Sequence, residues 1–199
     1  MLNTILFIDG ENFRHKVEDV VKEEGIDKNT IDFASIDIQH LVKSVLKDFN
    51  IRTKLFYAAR LKEYKETIKK SKELIAIQRR LKTNLEKQGF DFIIAGNVRA
   101  QVIDGRTPRT IFREKGVDVK IAVDLVSLAC DRKMDTAIIC SSDSDLQPAI
   151  AELKKRKIKV VYLGFQMNPN KGLTFTADET ILFRNNEILQ VCPKKQKSR

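Results

Sequence analysis

Ile5-Leu6-Phe7-Ile8-Asp9-Gly10-Glu11-Asn12-Phe13 is the stretch on which the reading of this chain turns. Four consecutive apolar residues describe a strand buried on both faces. The run stops at an acid, Asp9, and Gly10 then permits a tight turn. Glu11 and Asn12 open a helix. An aspartate at the carboxyl end of an internal strand stands where open α/β sheets place their chemistry. The plainer reading is that Asp9 only caps the helix that follows it.

Outward from this segment, strand and helix patterns alternate. Apolar, β-forming runs predict strands over residues 4–8, 51–58, 90–95, 136–140 and 158–163. Helical spacing predicts helices over 11–24, 36–48, 66–88, 117–130 and 146–155, with Ser35 as the cap of the second. A short helix is expected within 174–186 and a last strand-like segment at 188–191. Such alternation predicts a mostly parallel sheet with helices on both faces. Right-handed crossovers then bring every strand's carboxyl end to one rim. No repeat or linker divides the chain, so one domain is expected over residues 1–192. Residues 193–199 read as a disordered basic tail.

Composition narrows the function classes. The chain has 199 residues, 42% hydrophobic and 32% charged, which suits a globular α/β domain rather than a disordered chain. Its net charge of +10 favours a polyanionic partner, nucleic acid first and an acidic membrane second. The three cysteines, Cys130, Cys140 and Cys192, show no CxxC spacing, which argues against a disulfide framework or a zinc site. No leader-like segment opens the sequence, and no apolar run reaches the roughly 18 residues of a membrane span. A cytoplasmic protein is expected.

Two strands end in acids, one at Asp9 and the other at Asp143 and Asp145. The helix beginning near Val117 supplies a third point, Asp118. At 100° per residue, Ile121, Ala122, Leu125, Leu128 and Ala129 share one arc, and Asp118 falls within it at the first turn. Asp124 falls on the opposite side, near Lys120. Crowded carboxylates raise one another's pKa unless a cation compensates. An all-oxygen set without His or Cys suits a hard ion, Mg²⁺ or Mn²⁺. Such an ion activates water and clamps a phosphodiester. The competing reading is three independent caps and turns. His15, one turn into the first helix, either faces the same rim or is an ordinary helix residue.

Two basic segments accompany the acids. The helix over 66–88 buries Leu74, Ile77, Leu81 and Leu85 and carries Lys69, Lys70, Lys72, Arg79, Arg80, Lys82 and Lys87 elsewhere, a solvated face or a nucleic-acid contact. Residues 96–115 hold Arg99, Arg109, Arg113 and Lys115, with Gly105 and Pro108 favouring a loop. This segment is either a phosphate-binding insertion or a β-hairpin with no role in binding.

Residues 7–13 (Phe-Ile-Asp-Gly-Glu-Asn-Phe), 115–125 (Lys-Gly-Val-Asp-Val-Lys-Ile-Ala-Val-Asp-Leu) and 141–146 (Ser-Ser-Asp-Ser-Asp-Leu) resemble, in order, the three motifs of the NYN domain. This is the LabA-like branch of the PIN-like nucleases. The resemblance spans about residues 3–165 and implies a Rossmann-like, three-layer α/β/α fold with metal-dependent ribonuclease activity. Carried over, Asp9, Asp118, Asp143 and Asp145 are the catalytic and metal-binding acids, with Mg²⁺ or Mn²⁺ as the cofactor. Asn12, Asp124 and Ser141 are supporting residues. Ser142 stands where the family often has glycine. The basic helix and residues 96–115 lie outside the motifs.

The reading is therefore an endoribonuclease acting on single-stranded or looped RNA, with Arg99, Arg109, Arg113 and Lys115 as its nucleic-acid contacts and no membrane partner. A homodimer is compatible with it. The alternative is an RNA-binding or regulatory module without turnover. A small-phosphoester hydrolase is a third reading, weakened because Glu11-Asn12 stand where a second catalytic acid belongs.

Overall fold

The computed structural model describes residues 3–63, 68–103 and 109–195, and for residues 99–103 and 109–113 the backbone alone. Its centre is a seven-stranded sheet. The strands are β1 (Thr4–Asp9), β2 (Ile51–Arg60), β3 (Asp91–Ile103), β4 (Arg109–Lys115), β5 (Thr136–Cys140), β6 (Lys159–Phe165) and β7 (Glu179–Phe183). Their order is β4-β3-β2-β1-β5-β6-β7, and every pairing is parallel except β3 with β4.

The apolar run of β1 is buried throughout because helices cover both sides. Leu6 and Ile8 pack toward α1 (Gly10–Glu23), α2 (Ile38–Val45), α3 (Ile68–Lys87) and α7 (Asn185–Val191). Ile5 and Phe7 pack toward α4 (Val117–Cys130), α5 (Gln147–Lys155) and α6 (Lys171–Thr176). The result is the expected three-layer α/β/α arrangement. Alternation along β1 sends neighbouring side chains into separate cores. Among the described residues, no helix is long and apolar enough to cross a membrane.

Ile77, expected in the buried seam of α3, is exposed, and in four other places the structure departs from the sequence reading or decides between its alternatives. First, α2 is shorter than predicted, and its cap is Asp37, which accepts the His40 N–H at 2.8 Å; Ser35 ends a preceding 3-10 turn instead. Second, of the two forms that the sequence left open for residues 96–115, the structure takes the paired strands of a hairpin. β3 runs on past its pairing with β2 and pairs with β4 from Asn97↔Lys115 to Ile103↔Arg109. Gly105 and Pro108 suggested a loop, but they lie outside the described residues. Third, the chain after residue 170 forms α6, β7 and α7, so residues 188–191 are helical rather than extended. β7 is recruited by parallel pairing with β6, and α7 buries Ile188 and Val191, three positions apart. Fourth, Lys194 bridges Ile31, and the Lys195 N–H donates to the Thr30 carbonyl at 2.6 Å. The start of the tail is therefore held, while residues 196–199 lie outside the described residues.

The hairpin rises from a tight base. Gly96 has φ +64°, and a Cβ there would stand 2.2 Å from the Lys115 carbonyl oxygen. Only glycine permits that backbone approach, which delivers the chain to the start of α4. Gly96→Ala is expected to cost about 2 kcal/mol or more, from left-handed strain plus overpacking. Urea denaturation of the variant beside the wild type measures it.

Candidate active site at the carboxyl rim of the sheet

Asp9 ends β1 with only 3% of its surface exposed. It caps α1 by accepting the Asn12 N–H at 3.1 Å. The Asn12 side-chain amide donates to its other oxygen at 2.6 Å, and the Ser141 hydroxyl donates to that oxygen at 3.2 Å. Capping and placement at the carboxyl rim of the sheet are thus both features of Asp9. Burial pushes its carboxyl up, and the charge of Asp143 adds to this; the bonds from Asn12 and Ser141 only partly offset the rise.

The other acids arrive from neighbouring elements. Ile8 lies beside Cys140 in the β1–β5 register, so the chain leaving β5 crosses the rim next to Asp9. The Asp143 N–H donates to Ser141 Oγ at 3.1 Å, and Asp143 accepts the Asp145 N–H at 2.9 Å. The Ser142 hydroxyl reaches the Asn12 side-chain oxygen, and Asn170 donates to the Ser142 carbonyl at 2.8 Å. Ser142 therefore holds the turn through its side chain where glycine would leave it bare. Asp118 sits in the first turn of α4.

Asp9, Asp118 and Asp143 line one cleft of about 430 Å³ together with Asn12. Asp145 is exposed and does not line it; through its backbone it holds Asp143. Asp124 also stands apart. It accepts the hydroxyl of the fully buried Tyr57 at 2.9 Å and pairs with Lys120 at 2.6 Å. This tie joins α4 to β2, next door to Asp9. Of the basic positions, Lys115 lines the cleft. The side chains of Arg99, Arg109 and Arg113 lie outside the described residues. The hairpin register nonetheless pairs Arg99 with Arg113 and Ile103 with Arg109, so these positions share one ribbon face with Lys115.

Glu11, His15 and Glu114 also line the cleft; the sequence reading raised His15 as a candidate rim residue and did not offer Glu11 or Glu114 as site acids. Glu11 pairs with Arg14 at 2.6 Å and His15 at 3.0 Å. Burial works to raise its pKa, but the bonds from His15 and Arg14 overcome this and hold it at about 2. His15, paired in this way, lines the cleft and has its own pKa raised by the bond to Glu11. Glu114 is half-buried on β4. Burial, together with the charges of Asp9, Glu11 and Asp118, pushes it up to about 7. A helical turn relates Glu11 to His15, so that pair was legible; nothing short of the hairpin register would have found Glu114.

Anionic oxygen donors that line one cleft with a buried carboxylate are the donor type that a hard divalent cation takes. Among the described residues, however, no three His, Cys, Asp or Glu side chains are grouped so as to hold one as they stand. The donor chemistry fits Mg²⁺ or Mn²⁺, and the donor shell is open.

The NYN domain model matches residues 3–184, and the chain belongs to that family. No curated protein matches. The chain is similar to the crystal structure of a protein of unknown function, VPA0982, from Vibrio parahaemolyticus. The TM-score is 0.60 and the identity 18%, over 92% of this chain and 93% of that one. That likeness speaks for the fold.

The raised Glu114 carboxyl has a stability consequence. Its favourable contribution is complete below the unfolded value of 4.5 and is lost as pH rises through about 7. With divalent cations chelated, Glu114→Gln is expected to shrink the fall in Tm between pH 5 and pH 8. Thermal melts of both proteins across that range check this.

Proposed function

We propose that this protein is a metal-dependent endoribonuclease acting on single-stranded or looped RNA. The observation that carries the reading is that Asp9, Asp118 and Asp143, from three motifs of a nuclease-type domain, line one cleft at the strand ends. A net charge of +10 around an acidic centre supports a polyanionic substrate. The three free cysteines accord with work in the cytoplasm.

Asp9, Asp118 and Asp143 would hold Mg²⁺ or Mn²⁺, with Asp145 helping by fixing Asp143. When bound, such an ion lowers the pKa of a water and clamps the scissile phosphate. Asn12 and Ser141 aim the Asp9 carboxylate, and Ser141 couples it to the turn that carries Asp143. The Tyr57–Asp124 bond ties the middle of α4, the helix that carries Asp118, to β2. Lys115 and the ribbon positions 99, 109 and 113 would take flanking phosphates, an electrostatic contact blind to sequence.

The open donor shell favours a second reading, an RNA-binding module without turnover. Cleavage of a mixed RNA ladder with Mn²⁺ tests both. Asp9→Asn, Asp118→Asn and Asp143→Asn are each expected to lower kcat/KM by about 10²-fold or more, as loss of a charge-stabilising group does. Equal cleavage by all four proteins overturns the catalytic assignment, and salt-sensitive RNA binding without cleavage installs the second reading.

The ribbon has its own test. The pair Arg99→Ala and Arg113→Ala is expected to raise KM. It should also flatten the log–log salt slope of RNA binding by about 1.4, at ~0.7 per single-strand phosphate contact. Fluorescence anisotropy between 50 and 200 mM salt reads the slope.

A further inference from the structure

Glu114 belongs to none of the three motifs. It stands on β4 just before the chain turns into α4, and its position is tightly set. Gly96 admits the Lys115 carbonyl beneath the hairpin, and Gly116, at φ +94°, caps α4 without a side chain. Glu114 lines the acidic cleft on one side and a larger cavity of about 790 Å³ on the other. Among the described residues only Glu11 shares that double position, so these two glutamates stand between the spaces.

Their partners differ. Glu11 is neutralised by Arg14 and His15. Asp9 receives bonds from Asn12 and Ser141, and Asp143 receives the Asp145 N–H. Glu114 accepts a single bond, from the Val117 N–H at 3.3 Å, and makes no ion pair among the described residues. A half-buried carboxylate facing other acids with one weak donor is costly unless a cation joins it. Asp145, the fourth acid that the motif resemblance supplies, does not line the cleft, whereas Glu114 does.

We propose that Glu114 is a ligand, direct or through water, of the divalent cation held at this cleft, in the place the resemblance gives to Asp145. The inference rests on the metal-site reading above. It makes the hairpin part of the ion's coordination, so that the ribbon and the cation site are mechanically one unit.

Mn²⁺ binding without RNA tests it, read as loss of the free-ion EPR signal on titration at pH 7.5. Wild type, Glu114→Gln, Glu114→Asp, Asp9→Asn and Asp91→Asn are compared, the last removing an exposed acid at the amino-terminal end of β3. Far-UV circular dichroism melts confirm that each is folded. The expected result is a loss of affinity of tenfold or more in Glu114→Gln and in Asp9→Asn. Partial retention is expected in Glu114→Asp, and wild-type affinity in Asp91→Asn. Wild-type affinity in Glu114→Gln, with Asp9→Asn impaired, overturns the Glu114 assignment and leaves the metal site standing. Absence of binding by the wild type, or full binding by Asp9→Asn, overturns both. If Glu114→Gln does not fold, Glu114→Asp decides: affinity below that of the wild type, partial or complete, with a native melt counts for the assignment, and wild-type affinity counts against it.

Discussion

A carboxylate sealed into the end of the central strand is the constraint from which the rest of this architecture follows. Burying an ionisable group is costly unless hydrogen bonds compensate, and Asp9 draws its donors from two directions. Asn12 comes from the helix that Asp9 itself caps, and Ser141 comes from the turn that follows β5, the strand beside β1. The same residue therefore starts α1, fixes the angle at which α1 leaves the sheet, and ties the β5 turn to β1. Gly10 contributes by absence, since a Cβ there would strike the Phe56 ring at 2.4 Å. The local capping requirement and the assembly of the rim are satisfied by one side chain.

Around Asp9 the electrostatics have two scales. Across the whole chain, positive charge prevails and attracts polyanions over distances up to a Debye length, about 8–10 Å in ordinary salt. Inside the cleft the balance is reversed. Glu11 is quenched by Arg14 and His15, while Glu114 is left facing Asp9 and Asp118 with its carboxyl pushed up to about 7. A basic exterior around an acidic cleft is the charge arrangement that the proposed function uses, with a cation as the counter-charge on that reading.

The hairpin of β3 and β4 links these scales. Its outer part pairs with no third strand among the described residues, so it extends past the rim as a two-stranded ribbon. Its alternation puts positions 99, 109, 113 and 115 on one face and Glu114, beside Val98, on the other. Thus Lys115 shares a ribbon face with positions 99, 109 and 113 while its neighbour Glu114 takes the other, because a strand turns successive residues to opposite sides, although both border the cleft. No composition count could separate them.

The apolar run before Asp9, the helical arc that placed Asp118 inward, and the acids after Cys140 were all legible in the sequence, because a period of 3.6 or a buried strand is written in nearest neighbours. Those signals determined the layered α/β class, the rim, and the three acids that share the cleft. What only the tertiary structure decided depends on contacts between distant segments. Pairing with β6 made β7 a strand, and docking across the core made residues 188–191 helical. Hairpin register carried Glu114 to the cleft, while the turn after β5 left Asp145 in solvent. A sequence records each residue's preference for its own neighbourhood, and these four outcomes were settled by which neighbourhood the fold supplied.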